Sequence, residues 1–234
     1  MISEQRLWMT SLPILEDKFE AKTPDIISDQ LHRALSEAKT EAEQKIIHGN
    51  IRLICCFAEK FYPNYFVSCW SMNDVESNLM WEAYGKPPKA IAIQTTFDRL
   101  VQSLPKCLDI GLVRYMDYRK TGFERMNMYE WPMHKREQFR DEREVRVLAD
   151  LNVPDELGGS ELKANLFEGG VELSRVRMCA PPIDAFGMIE SIYLHPRSDQ
   201  LFADTVIKFC RENKLPVPQR SEMANSGSFH PARQ

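Results

Sequence analysis

Glu142, Glu144 and Arg146 stand two residues apart at the start of a run, Arg143 to Ala149, in which Val145 and Val147 alternate with polar neighbours. Alternation of that kind predicts a strand, and in a strand residues i and i+2 share a face. Two carboxylates and a guanidinium would then project from one surface. Such a group suits cleavage of a glycosidic bond through a cation-like sugar, where a carboxylate beside the anomeric carbon stabilises the cation and polarises a ribose hydroxyl. Glu144 is the candidate for that catalytic role. Glu142 is the candidate for orienting the attacking nucleophile, and Arg146 for keeping the carboxylates ionised or holding a phosphate. The plain alternative is a solvated sheet face carrying a Glu–Arg cross-pair, and the residues alone leave both open.

Three further residues are candidates for gripping a ligand. Ser71 falls where the β-prone run YFVSCW (Tyr65 to Trp70) gives way to a helix, a junction at which a hydroxyl and unpaired backbone N–H groups can meet a ligand. Trp81 and Tyr84 are three apart on that helix, so they can line one edge of a cleft and stack on a flat ring; core aromatics are the ordinary alternative. Lys135, Arg136 and Arg140, with Arg119 and Lys120 upstream and Tyr129 and Trp131 beside them, form the densest basic region. Phosphates of a dinucleotide or of RNA could bind there, although a charge run is ordinarily a solvated helix face. The glycine-rich phosphate loops, the Gly-x-Ser-x-Gly elbow and zinc-ligand spacings do not occur, and no metal site is expected.

The elements that must position these residues are legible in outline. Thr23-Pro24-Asp25 opens an amphipathic helix expected to run to about His48, with Gly49 as its terminator. After the strand at Tyr65 to Trp70, Asn73 and Glu76 suggest a capping box for the helix that ends at Gly85. Lys89 to Thr95 reads as a strand, Phe97 to Leu104 as a short helix, and Leu112 to Tyr118 as a third strand. Met133 to Arg140 looks helical and leads into the Arg143 to Ala149 strand. Glycine pairs at 158–159 and 169–170 bracket a flexible section. Strands near Val171 to Met178 and Ile189 to Leu194 follow, then a helix from Ser198 to about Glu212 and a last strand at Leu215 to Val217. Strands and helices mix without regular βαβ alternation, so the fold class expected is α+β, a single domain over residues 1–217 with a mixed or antiparallel sheet and flanking helices. Residues 218–234 are expected to form a poorly ordered tail.

Composition sets the outer limits. The chain has 234 residues, 43% apolar and 27% charged, with a formal charge of -4. That is a folded globular protein with no global positive field to gather nucleic acid or an anionic bilayer. Six cysteines without a C-x-x-C pair read as core thiols of a reducing compartment. No leader and no span of about 18 apolar residues is evident, so a cytoplasmic location without a membrane partner is expected. Oligomeric state is not written in the sequence.

Three blocks carry a family pattern: YFVSCWSMNDVESNLMWEAYG (Tyr65 to Gly85), KREQFRDEREVRVL (Lys135 to Leu148) and SIYLHPRSDQLFADTVIKFCRENKLPVPQRSEM (Ser191 to Met223). In this order they resemble the bacterial proteins grouped as domain-of-unknown-function family 2971. The opening RLWMTSLPILEDKFEA (Arg6 to Ala21) is similar to that family's segment ending in Asn-Asp-x-x-Glu, with Glu16-Asp17 in place of Asn-Asp. More loosely, the order of a Ser or Tyr followed by an E-x-E strand resembles ADP-ribosyltransferase-like folds. That resemblance implies NAD or another nucleotide as substrate, with no resident cofactor, and ADP-ribosyl transfer or NAD glycohydrolysis through Glu144. The His-Tyr-Thr strand with which relatives begin has no counterpart before Leu7. A non-catalytic module binding protein or nucleic acid is the alternative that this departure favours.

Overall fold

A computed structural model describes residues 1–85, 88–124, 127–152, 159–166 and 177–224. The fold is α+β, and the chain divides into two compact units. The first comprises Arg6–Met72 and Pro105–Pro182; the second comprises Met1–Gln5, Asn73–Leu104 and Ile183–Gln234.

The first unit is built on a five-stranded sheet of β1 (Met9–Ser11), β2 (Tyr65–Ser71), β4 (Asp109–Leu112), β7 (Glu144–Asp150) and β8 (Met178–Cys179), in the order β4-β7-β2-β1-β8. All its pairings are antiparallel, and β7 lies between β4 and β2 with Arg146 opposite Gly111 on one side and Cys69 on the other. Every residue of β7 is buried. The alternation of Val145 and Val147 with polar neighbours therefore does not mark a half-solvated strand: both faces are covered. Leu148 joins Leu12, Phe57, Tyr62, Tyr65, Val67 and Trp131 in one apolar cluster, in which the Phe57 and Trp131 rings stack at 4.0 Å.

Two short strands complete the frame, β5 (Arg114–Met116) and β6 (His134–Arg136), paired in parallel with Tyr115 opposite Lys135. The stretch expected as one strand, Leu112 to Tyr118, is thus shared between two sheets. The stretch expected as a helix, Met133 to Arg140, is a strand followed by a 3-10 turn over Glu137–Glu142. That turn ends at Arg143, whose φ of 45° is left-handed, and β7 starts at the next residue. Glu142 therefore lies outside the strand that the two-residue spacing predicted for it.

The expected long helix is two helices, α1 (Asp25–Glu37) and α2 (Glu41–Cys56). Thr40 breaks the chain between them. Its hydroxyl accepts the N–H of Glu43 while the Glu43 carboxylate accepts the N–H groups of Thr40 and Lys39, a complete capping box that satisfies orphan donors of α2. Gly49 sits inside α2 instead of ending it. Thr40→Ala is expected to cost about 1 kcal/mol in urea unfolding, the usual loss for a cap.

The second unit holds the sheet β10-β9-β3, of β3 (Ile91–Gln94), β9 (Ser191–Leu194) and β10 (Gln219–Arg220), with β3 antiparallel and β10 parallel to β9. Helices α3 (Asn78–Tyr84), α4 (Phe97–Ser103), α6 (Ala185–Met188) and α7 (Gln200–Glu212) belong to it, and α5 (Gly159–Leu166) belongs to the first unit. The cap of α3 is Ser77, not Asn73. Gly85 closes it, where a Cβ would lie 2.6 Å from the Trp81 carbonyl oxygen and 2.8 Å from the His195 ring. The last strand falls at Gln219–Arg220 instead of Leu215 to Val217, and the buried Ser221 hydroxyl donates to Glu76, so the chain just past Pro218 is built into the sheet. The glycine pair at 169–170, most of the strand expected near Val171 to Met178, and the tail from 225 on lie outside the described residues.

Candidate functional site

Five charged side chains converge at the start of β7, all within the first unit: Glu20, Lys135, Glu142, Glu144 and Arg146. Arg146 is 0% exposed. Its Nε donates to one Glu144 oxygen at 2.8 Å, one terminal nitrogen donates to the Pro132 carbonyl at 2.7 Å, and the other donates to Glu20 at 2.6 Å. The Lys135 ammonium donates to the second Glu144 oxygen at 2.7 Å and to Glu142, and stands 3.5 Å from Glu20. A buried charge is tolerable only when paired and hydrogen-bonded, and here each cation meets more than one carboxylate.

Charge counting explains the titration of the group. Three ionised carboxylates against two cations would leave a net negative charge in a poorly solvated place, and one bound proton restores neutrality. Burial and a hydrogen bond to Glu144 raise Glu142 to about 7. For Glu144 burial pushes upward, but the hydrogen bond from Glu142 and the charges of Arg146 and Lys135 outweigh it and hold the group at about 2. Lys135 is raised despite burial by its carboxylate neighbours, and Arg146 by Cys69, Glu20 and Glu144, so both stay charged.

Ser71 lies opposite Glu144 on β2, and its hydroxyl donates to the Glu142 carbonyl at 2.9 Å, tying the turn before β7 to the neighbouring strand. Tyr115 on β5 accepts the Glu144 N–H with its phenol oxygen at 2.9 Å. Of the residues chosen from the sequence, Glu142, Glu144, Arg146, Lys135 and Ser71 are therefore gathered together. The other three are not among them. Arg119 is exposed and pairs with Asp117 at 3.4 Å. Trp81 packs in the second unit, with its ring edge-on to His195 at 5.2 Å and its Nε1 donating to Glu76 at 3.4 Å. Tyr84, on the same helix, is 63% exposed.

Glu20 is the residue that spacing did not single out. It lies 126 positions before Arg146, and no local pattern links the two. A signal existed nonetheless, because Glu20 ends the Glu16-Asp17 segment of the opening block. Asp17 of that segment accepts two hydrogen bonds from Arg136, at 3.1 and 2.7 Å.

The basic region is dissolved by the fold. Lys135 faces inward, Arg136 pairs with Asp17, Arg140 with Glu137, and Lys120 with Asp117. A surface hollow of about 420 Å³ beside it is lined by Arg114, Tyr115, Asp117, Lys120, His134 and Glu137, among others. Arg114 is paired there with Glu124, and His134 is kept neutral by burial, which lowers its pKa. A smaller hollow of about 230 Å³ is lined by Phe57, Tyr62, Trp131 and their neighbours. Neither Glu142 nor Glu144 lines either hollow. Of the six cysteines, Cys179 and Cys210 are buried while Cys55 and Cys69 are exposed, so the thiols are not all core residues. Among the described residues, no helix is long and apolar enough to cross a membrane. No family model, curated protein or solved structure matches the chain.

Proposed function

We propose that this chain is a non-catalytic, protein-binding module, and that Glu144 serves its fold. The observation that carries this reading is the state of α1 and α2. These helices have 13 and 16 residues, and neither contributes a buried side chain, while Ile46 and Leu53 of α2 are 66% and 57% exposed. Helices gain most of their stability by burying an apolar face, so such a pair suits a partner that completes it. Protein is favoured over nucleic acid because the net charge is -4 and the cations of the basic region are already paired within the chain. Kinship with domain-of-unknown-function family 2971 belongs to the same proposal and rests on the sequence blocks, which fold as β2 with α3, as β6 with β7, and as β9 with α7 and β10.

A second reading draws on the juxtaposition of Glu142 and Glu144, both of which accept from the Lys135 ammonium. The split between Glu142 at about 7 and Glu144 at about 2 is the arrangement that separates an acid from an ionised carboxylate in glycoside chemistry. ADP-ribosyl transfer or NAD glycohydrolysis through Glu144 would use it. Against it stands the occupancy of both Glu144 oxygens by Lys135 and Arg146, since a carboxylate that stabilises an anomeric cation needs a free oxygen facing it.

One experiment separates the readings. The purified chain is incubated with NAD and assayed chromatographically for nicotinamide, and its melting curve is recorded with NAD, ADP-ribose, ATP and GTP. The expected results are no nicotinamide above the blank and melting shifts under about 1 °C, because a ligand that does not bind the native state cannot stabilise it. Nicotinamide release that Glu144→Gln abolishes would reinstate the enzymatic reading.

A further inference from the structure

Helix α2 carries two apolar stripes. Ile47, Ile51 and Ile54 are partly buried, whereas Ala42, Ile46, Gly49 and Leu53 are exposed. The spacing of four, three and four residues puts the exposed set on a single helical face. Gly49 lies in the middle of that face, and a Cβ there would meet nothing within 4 Å. Among the described residues nothing occupies that space, although glycine inside a helix costs about 1 kcal/mol relative to alanine. A notch between Ile46 and Leu53 lets another backbone or a bulky side chain approach closely.

Charge decides what approaches. Lys45 and Arg52, two turns apart, flank one edge of the stripe; both are exposed and neither has an ion-pair partner among the described residues. They differ in this from Lys135, Arg136, Arg140 and Arg146, which are held by carboxylates of the same chain. The other edge carries Glu43, whose carboxylate is engaged in the Thr40 cap. An antiparallel second copy would set Lys45 and Arg52 beside the same two cations of its twin, which is repulsive.

We propose that the outer face of α2 docks an amphipathic helix of a partner protein, apolar along the stripe formed by Ile46, Gly49 and Leu53 and acidic along the flank that meets Lys45 and Arg52. This inference rests on the protein-binding reading above. The mode is helix on groove, with apolar anchors at helical spacing and electrostatic complementarity fixing the orientation.

The test uses the full chain and two synthetic helical peptides of about 20 residues, each with a leucine stripe, one flanked by Glu and the other by Lys. Fluorescence anisotropy is expected to show the Glu-flanked peptide binding at least ~10-fold more tightly than the Lys-flanked one, a difference reversed by the double substitution Lys45→Glu and Arg52→Glu. Leu53→Glu is expected to abolish binding without changing the melting temperature, since the side chain it replaces is exposed. Binding of neither peptide, or equal binding of both, would overturn the proposal. So would a dimer in sedimentation velocity that Leu53→Glu dissociates, because the face would then serve a second copy. Hydrogen-exchange protection of another surface by the Glu-flanked peptide would overturn the α2 assignment while leaving the module reading intact. Nicotinamide release from NAD would overturn that reading and leave the peptide result untouched.

Discussion

Arg146→Met is expected to lower the stability of the chain by about 3–5 kcal/mol in urea unfolding at pH 7, the range found when one member of a buried ion network is removed. The loss does not come from missing attraction alone. Arg146 is fully buried and holds Glu144, Glu20 and the Pro132 carbonyl at once. Methionine fills similar volume but leaves three carboxylates around Lys135 and strips a buried carbonyl of its donor. Arg146→Lys keeps the charge, yet a single ammonium cannot reproduce the planar fork that spans two carboxylates and a carbonyl, so an intermediate loss is expected. This variant gives a reading if the methionine protein does not fold. Arg119→Met, at an exposed pair with Asp117, should change stability by less than about 0.5 kcal/mol and serves as the control. If Arg146→Met and Arg119→Met cost the same, the cluster is not a structural brace and Glu144 is available for other work.

The segments that the sequence described well are those whose local pattern and tertiary surroundings agree. The strand from Tyr65, the strand from Ile91, the short helix after Thr96 and the helix after Asp199 all have caps or flanking breaks within a few residues. Met133 to Arg140 fails for the opposite reason. Its lysine and arginines look like the solvated side of a helix, and what buries them is a set of carboxylates from elsewhere: Asp17 for Arg136, and Glu20, Glu142 and Glu144 for Lys135. No window along the chain contains that information. Lys135 is legible by its charge but not by its element, whereas Glu144 and Arg146 lie on the expected strand, buried where the residues alone leave a ligand-facing and a solvated face both open. The break at Thr40 was legible in principle, because Thr40 with Glu43 is a capping-box pair, but the apolar period running through it hid the boundary. The position of Glu142 beside Glu144 depends on the left-handed turn at Arg143, a residue whose side chain does not favour that conformation.

Glu142→Gln is expected to change the pH dependence of stability more than any other single substitution in the cluster. Glu142 faces Lys135 on β6 and Glu144 on β7, and these two are in turn held by Glu20, from the segment after β1, and by Arg146 on β7. With its pKa raised from 4.5 to about 7, Glu142 keeps a proton in the folded chain that the unfolded chain has already released. Its contribution to stability is therefore complete below pH 4.5 and declines as pH rises toward 7. Glu144 runs the other way: held at about 2, it contributes fully above pH 4.5 and loses that contribution as pH falls toward 2. The amide of glutamine imitates the protonated carboxyl, since its N–H can donate to Glu144 and its carbonyl can accept from Lys135, and it does not titrate. The substituted chain should match the parent near pH 4.5 and exceed it by about 2 kcal/mol at pH 8, an order of magnitude set by the displacement of the Glu142 pKa. The difference between the two unfolding profiles isolates Glu142, because His134, lowered by burial, and Asp150, raised by burial, are present in both proteins. A difference that stays constant from pH 4.5 to 8 would mean that Glu142 is ionised throughout. The cluster would then hold three negative charges against two positive ones, and the neutrality that makes its burial tolerable would have to be supplied from elsewhere in the fold.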